Sequence, residues 1–247
     1  MASPRIAFFD IETAPILGYS WEMFDANVIH VVEPTYMLCY SLKWADQKSI
    51  KTRRLCDYPA YKKNPTCDKA LVSDLHADMS KADIIIGHNG DAFDIKKANA
   101  RFVVHGLAPP PPRKSVDTLK ISRRNFKFDS NKLDNIARYL KVGCKLPGMS
   151  KDVWLGCIAG DPKAWGKMGR YNAHDVRILE AVHSIICPWD ANYPDMRVYS
   201  GHRGVCPTCQ STHIHNKGRY VVQKRVYQRL QCQAPTCQHW FKGDLIK

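Results

Sequence analysis

The chain has 247 residues, 45% hydrophobic and 24% charged, enough for one medium domain with a full core and a small appendage. No run of about 18 apolar residues occurs, which excludes a helical membrane span, and "MASPRIAFFDIE" reads as a first core strand and not as a signal peptide. Thirty-seven Lys and Arg against 23 Asp and Glu give a net charge of +14, a surplus that favours a polyanionic partner, nucleic acid first.

In chain order, Ile6, Ala7, Phe8, Phe9 and Ile11 predict a strand buried on both faces. It carries Asp10 and Glu12, whose i, i+2 spacing sends both side chains to one face at the strand's carboxyl end. Buried carboxylates are costly unless something positive satisfies them, so a cation is the expected partner. "TYMLCYSLKWAD" and "SIKTRRLC" predict two further strands, "CDKALVSDLHADMSKA" a helix, and "DIIIGHN" a short buried strand ending at Gly87. "DIKKANARFVVHGL" reads as a helix closed by Gly106, and the proline-stiffened "APPPPRKSVDTL" leads into an edge strand around Val116. "NKLDNIARYLKVG" predicts a helix with a glycine stop, and "DPKAWGKMGRYNAHDVRILEAVHSII" a long helix ending before Pro188. This order suits an α/β domain over residues 1–190, with a mixed sheet and helices on both faces. "CPWDANYPDMRVYSGHRG" lacks periodicity and supplies a linker, taken as 191–204, before a second unit at 205–247.

Two more acids join the first pair. Asp94 stands at a helix start, where the macrodipole favours its charge, with Asp91 as its rival three residues earlier. Tyr171 and Asp175 are i and i+4 on one helical face. Taken singly, each feature also fits a strand terminus, an N-cap or an ordinary helical pair; together and in this order they point to one cleft.

"FDIET", "GHNGDAFD" and "YNAHD" resemble the three exonuclease motifs of the DEDD superfamily, the DnaQ-like 3′–5′ exonucleases. The position five before the last aspartate, histidine in one branch, is Arg170 here; the position four before is Tyr171, as in the tyrosine branch (DEDDy), which includes proofreading domains of DNA polymerases. "VDTLKISRRNF", "SNKLDNIARYL" and the long helix resemble connecting elements of stand-alone bacterial and phage members, and the likeness covers about residues 5 to 190. It implies an RNase H-like fold with a five-stranded sheet, and a catalytic set of Asp10, Glu12, Asp94, Tyr171 and Asp175 holding two Mg²⁺ or Mn²⁺ ions. By that resemblance Asp10 bridges the two ions, Glu12 and Asp175 complete the site that activates water, Asp94 holds the second ion largely through water, and Tyr171 orients the attacking water. His88 and His174 read as structural. Nothing corresponds to a polymerase domain, so any editing role is in trans. The reading requires Asp10, Glu12 and Asp175 to meet in space, with no lysine or arginine filling the gap among them.

"CPTC" at 206–209 and "CQAPTC" at 232–237 place Cys206, Cys209, Cys232 and Cys237 at zinc-ribbon spacing around a β-rich segment. Four thiolates close a tetrahedral site, which makes the zinc structural and a source of folding energy for a unit too short for its own core. His213, His215 and His239 are the alternative ligands. The other six cysteines are scattered, as reduced thiols of a cytosolic protein are. The tail from Gly201 onward has eight basic residues and one acid. Arg219, Lys224, Arg225 and Arg229, with Asn89, Arg123 and Arg124 in the first unit, are the candidate nucleic-acid contacts. In "KISRRNFKF", Phe126 and Phe128 either stack bases or pack the core beneath a solvated basic face. Two competitors stand beside an exonuclease: an endonuclease or RNase on the same fold, and a nucleic-acid-binding or adaptor protein with an idle cleft.

Overall fold

The computed structural model describes residues 3–246. Strand β1 (Ile6–Thr13) is followed by a hairpin, β2 (Leu17–Tyr19) and β3 (His30–Glu33), and then by β4 (Met37–Trp44) and β5 (Lys51–Arg54). After two 3₁₀ turns come α1 (Lys69–Met79), β6 (Ile84–Gly87), α2 (Asp94–Val104), β7 (Lys114–Asp117), α3 (Thr118–Asn125), α4 (Leu133–Tyr139), α5 (Lys151–Ile158) and α6 (Pro162–Ile186). The central sheet has the order β5-β4-β1-β6-β7. β4 is antiparallel to β1 and β5, whereas β6 runs parallel to both β1 and β7. It is the mixed five-stranded sheet with flanking helices expected from the sequence.

Alternation along β1 sends Phe9 and Ile11 into one core with Tyr40, Leu75 and Phe102, and Phe8 into another with Ile86, Ile136 and Leu179. Helix α6 serves both layers, through Trp165 and Met168 in the first and Val176 and Val182 in the second. Its start is set by the Asp161 side chain, which accepts from the Lys163 N–H, and by Pro162 in the first turn. Gly169 does not break it: a β-carbon there would stand 3.0 Å from Arg54 Cδ, so the glycine lets α6 lie against β5.

Four local readings need correction. The β2–β3 hairpin was not foreseen, because its apolar residues face solvent; Trp21, Met23 and Phe24 are at least 80% exposed. Helices α3 and α5 are also additions; each is eight residues, too short for a clear periodic signal. Helix α4 stops before its glycine, with Lys141 already left-handed (φ 59°) two positions ahead of Gly143. The segment read as a linker is packed: a 3₁₀ turn at Cys187–Trp189 leads to α7 (Arg197–Ser200), and Asp190, Met196 and Ser200 are buried.

The tail forms a three-stranded antiparallel sheet, β10-β9-β8, from β8 (Ile214–Val222), β9 (Arg225–Cys232) and β10 (Trp240–Leu245). It is tied to the first unit where the Met196 N–H donates to the Pro207 carbonyl (2.7 Å) and His239 Nδ1 donates to the Pro188 carbonyl (2.6 Å). Among the described residues no helix is long and apolar enough to cross a membrane.

Candidate active site

The parallel pairing of β1 with β6 ends at Phe8, and beyond it the two strands separate. The start of α2 fills the opening: Asp94 Oδ1 accepts from the Ile11 N–H at 3.1 Å, in a buried contact across 83 residues of sequence. Asp94 thereby reaches the carboxyl end of β1, beside Asp10 and Glu12. The loop before α2 is shaped by Asp117, whose carboxylate accepts from the N–H groups of Asn89, Asp91 and Leu119. Asn89 takes the left-handed conformation there (φ 63°), and Gly87 and Gly90 approach so closely that a β-carbon on either would lie 3.1–3.2 Å from the other's Cα. Asp91, the rival of Asp94, instead contacts Ser115 and Lys120.

Helix α6 supplies the remaining members. Tyr171, Asn172 and Asp175 are buried on its sheet-facing side, and Asn172 Nδ2 donates to Asp10 Oδ2 at 2.6 Å. The four acids from β1, α2 and α6 act on one another electrostatically. Burial and the charges of Asp94, Glu12 and Asp175 hold the Asp10 carboxyl well above its usual range. Burial and then Asp175 push Glu12 up to about 8. Burial lifts Asp94 to about 7 against the opposing pull of the Ile11 N–H, and raises Asp175 as well.

The requirement of a gap free of basic side chains is not met at Asp175. Lys145, on the loop after α4, reaches Asp175 Oδ2 at 2.5 Å and the Tyr171 hydroxyl at 2.7 Å. The loop is fixed by the Lys145 N–H donating to Asp134 Oδ1 (2.6 Å) and by His174 Nε2 donating to the Cys144 carbonyl (2.8 Å). Among the described residues, Asp175 is the sole carboxylate within 4.0 Å of the ammonium. One positive charge faces four acids, and three of them remain strongly raised with its pull included. The lysine therefore contacts one acid of the four and does not bring the other three down to the ordinary carboxylate range.

Two observations bear on whether divalent cations fit this donor set. Asp175 Oδ1 is buried without a hydrogen-bond partner, a costly state that a cation would relieve. The donors are hard carboxylate oxygens, the set that suits Mg²⁺ or Mn²⁺. The acids nevertheless stand apart: among the described residues, the one group of three or more metal-ligating side chains whose ligand atoms lie within 4.8 Å of each other is the cysteine quartet.

In that quartet, Sγ of Cys206 lies 3.8 Å from Sγ of Cys237, and Sγ of Cys209 lies 3.6 Å from Sγ of Cys232. A tetrahedron with bonds of about 2.3 Å has edges of about 3.8 Å, so the sulfurs already match zinc and are too far apart for disulfides. Backbone N–H groups of Thr208 and Ala234 point at Cys206 and Cys232 sulfur (3.4 Å each), which favours the thiolate form that a metal needs. A hydrogen bond from the Cys237 thiol helps bring the Cys206 thiol down to about 5. His239 is directed to Pro188 and is not part of the cluster, nor are His213 and His215.

The remaining expected residues divide. Arg124 is bound to buried Asp190 (2.7 Å), and Arg229 donates to the Lys217 carbonyl while lying over Trp240. Asn89, Arg123, Arg219, Lys224 and Arg225 are exposed. His88 is held between Thr118 and the Asn131 carbonyl, in a structural place. The sequence reading passed over Lys145, Asn172, Asp117 and Trp154, whose ring stands edge-on to Tyr171 at 6.4 Å. Two of them had a signal: Asn172 lies inside the "YNAHD" motif and Asp117 inside "VDTLKISRRNF".

A search of curated proteins finds no match to this chain. Among solved structures it resembles the family B DNA polymerase from the hyperthermophilic archaeon Pyrobaculum calidifontis, with a TM-score of 0.57 and 15% identity. The likeness covers 92% of this chain and 32% of the polymerase, so this chain spans about a third of that protein's length. Residues 7–187 match the RNase_H_2 family model of the RNase H superfamily. With that match across most of its length and the sheet that accompanies it, the chain belongs to the RNase H superfamily.

Proposed function

We propose that this protein is a metal-dependent 3′–5′ exonuclease of the tyrosine branch, releasing nucleoside 5′-monophosphates from a nucleic-acid strand, DNA in preference to RNA. The observation that carries the reading is the convergence of Asp10, Glu12, Asp94 and Asp175 at the end of β1, the first three held far above the ordinary carboxylate range and Asp175 raised with them. The motif resemblance to a branch that includes polymerase proofreading domains agrees with the likeness to a DNA polymerase.

Asp10, Glu12 and Asp175 would hold one divalent cation and Asp10 with Asp94 a second. Such ions, when bound, offset the carboxylate charge and stabilise the attacking and leaving oxygens of an in-line displacement. Asn172 fixes the Asp10 carboxylate. Ile11 fixes Asp94 through its backbone. The Tyr171 hydroxyl, pushed up to about 12 by burial, keeps its proton at neutral pH and so orients water without acting as base. The cysteine quartet would hold one structural zinc, and a polymerase or other replication or repair protein would act beside the enzyme in trans.

A second reading, a nucleic-acid-binding protein with an idle cleft, draws on one observation: the ammonium of Lys145 already sits on Asp175. Digestion of end-labelled linear and circular strands, as DNA and as RNA, with Mg²⁺, Mn²⁺ or chelator separates the readings. Stepwise shortening from the 3′ end with the circle left intact supports the exonuclease. Cuts in the circle indicate an endonuclease, and binding without any cation-dependent cleavage indicates the idle cleft.

A further inference from the structure

A groove of about 1410 Å³ runs between the end of α6 and the three-stranded tail. Its walls carry large aromatic side chains that remain open to solvent: Trp189, 66% exposed, from the first unit, and Tyr220 and Trp240, about half exposed, from the second. Of its charged groups, Asp190 is paired with Arg124 and Asp195 with Arg197. Arg229 and Lys242 have no carboxylate partner among the described residues. The groove is thus aromatic with a residual positive charge, in a tail of eight bases and one acid.

Trp189 also begins a line of rings leading away from the groove. Its ring meets Phe126 edge-on (5.6 Å, 64°), Phe126 stacks on Phe128 (5.1 Å, 24°), and Phe128 meets Tyr139 edge-on (5.4 Å, 65°). The inner pair packs against the hydrophobic core, while the outer two are each 66% exposed. Trp189 and Tyr139 are therefore each anchored by one ring contact and otherwise open to solvent, already ordered for stacking. Exposed Arg123 and Lys127, without ion-pair partners among the described residues, flank the line. Tyr139 closes α4, and the loop that follows delivers Lys145 to Asp175 and Tyr171. Along α6 the groove begins at Ser184, nine residues and about 14 Å of helical rise from Asp175.

We propose that the groove and this aromatic line form one track for a single nucleic-acid strand, which stacks bases on Trp240, Trp189 and Tyr139 and leads the chain toward the carboxylate cluster. It rests on the reading of that cluster as the place where a 3′ end is cut. Solvent-exposed aromatic rings beside cations that lack a carboxylate partner are the chemistry of sequence-tolerant single-strand binding, in which each stacked base adds substantially to affinity. The eight bases and one acid of the tail favour a polyanionic strand over a protein as the occupant.

The test uses the full, zinc-loaded chain and fluorescein-labelled single strands of about 25 and about 5 nucleotides, as DNA and as RNA, titrated without Mg²⁺ or Mn²⁺. The long strand should bind tighter than the short one. Trp189→Ala, Tyr139→Ala and Trp240→Ala should each weaken it roughly five- to 150-fold, while Trp189→Phe keeps the affinity. Equal binding of both lengths, or alanine variants that bind the long strand as the wild type does, overturns the track; the latter is the result expected of a protein-docking groove. If the long strand binds and the alanine variants weaken it, yet nothing is ever trimmed, the track stands and the nuclease reading fails.

Discussion

Lys145 Nζ lies 2.5 Å from Asp175 Oδ2 and 2.7 Å from the Tyr171 hydroxyl, so one ammonium ties together two side chains a helical turn apart on α6. Burial works against its charge, but Asp175 and Tyr171 raise its pKa and keep it protonated. The carboxylate it holds is one that a divalent cation would also need, and the two must compete. Lys145→Ala should lower the melting temperature of the cation-free protein by several degrees, from a loss of about 1–3 kcal/mol given that the side chain is one-third exposed. Mg²⁺ should then raise the melting temperature more in the variant than in the wild type. An equal or smaller Mg²⁺ effect in the variant, followed by differential scanning fluorimetry, contradicts the competition.

Glu12 and Asp94 are pushed up to about 8 and about 7, well above the values near 4 of an unfolded chain. The folded state then holds protons that the unfolded state has released. Its stability should fall as pH rises from about 4 to about 8 and level off above that, with no such loss below about 4. Mg²⁺ or Mn²⁺ should restore stability, and by more at the upper end of this window. Urea midpoints measured at stepped pH, with and without the cation, should diverge as pH rises; parallel curves would count against the buried acid cluster.

Tyr171→Phe removes a hydroxyl that is hydrogen-bonded to Lys145 and leaves the ring packed against Trp154. The variant should fold normally and bind the same number of Mn²⁺ ions, while single-turnover cleavage slows by about 10- to 100-fold through lost orientation of water. Unchanged cleavage rules out that role for the phenol.

Cys206→Ser should release one zinc per chain, measured by atomic absorption. Without the metal the three-stranded tail has little core of its own, chiefly the cysteines with Ala234 and Phe241 beside them, and should become open to trypsin while residues 7–187 stay protected. Retained zinc, or a tail that stays resistant, contradicts the ligand set.

The sheet was legible because β1, β4 and β6 are buried strands whose apolar runs leave little choice of element, and α6 because an N-cap, a first-turn proline and 25 residues of periodicity agree. The acids were legible because strand and helix spacing alone puts Asp10 beside Glu12 and Tyr171 beside Asp175. Lys145 was not, since it sits in an irregular loop whose path depends on contacts with Asp134 and His174 from other elements. The β2–β3 hairpin was hidden for the opposite reason: its apolar side chains are solvent-exposed, against the pattern by which strands are recognised. Packing of the segment after α6 could not be read from sequence, because it depends on Met196 and His239 meeting partners across the junction.

Manganese binding to the zinc-loaded protein at about pH 8, followed by electron paramagnetic resonance, probes the carboxylate cluster most directly. Two Mn²⁺ ions per chain in the wild type, with binding lost in folded Asp10→Asn and weakened in Asp175→Asn, is the expected result. A wild type that takes up no Mn²⁺ at millimolar concentration, or an Asp10→Asn variant that binds it equally well, would show that these four acids do not form a divalent-cation site.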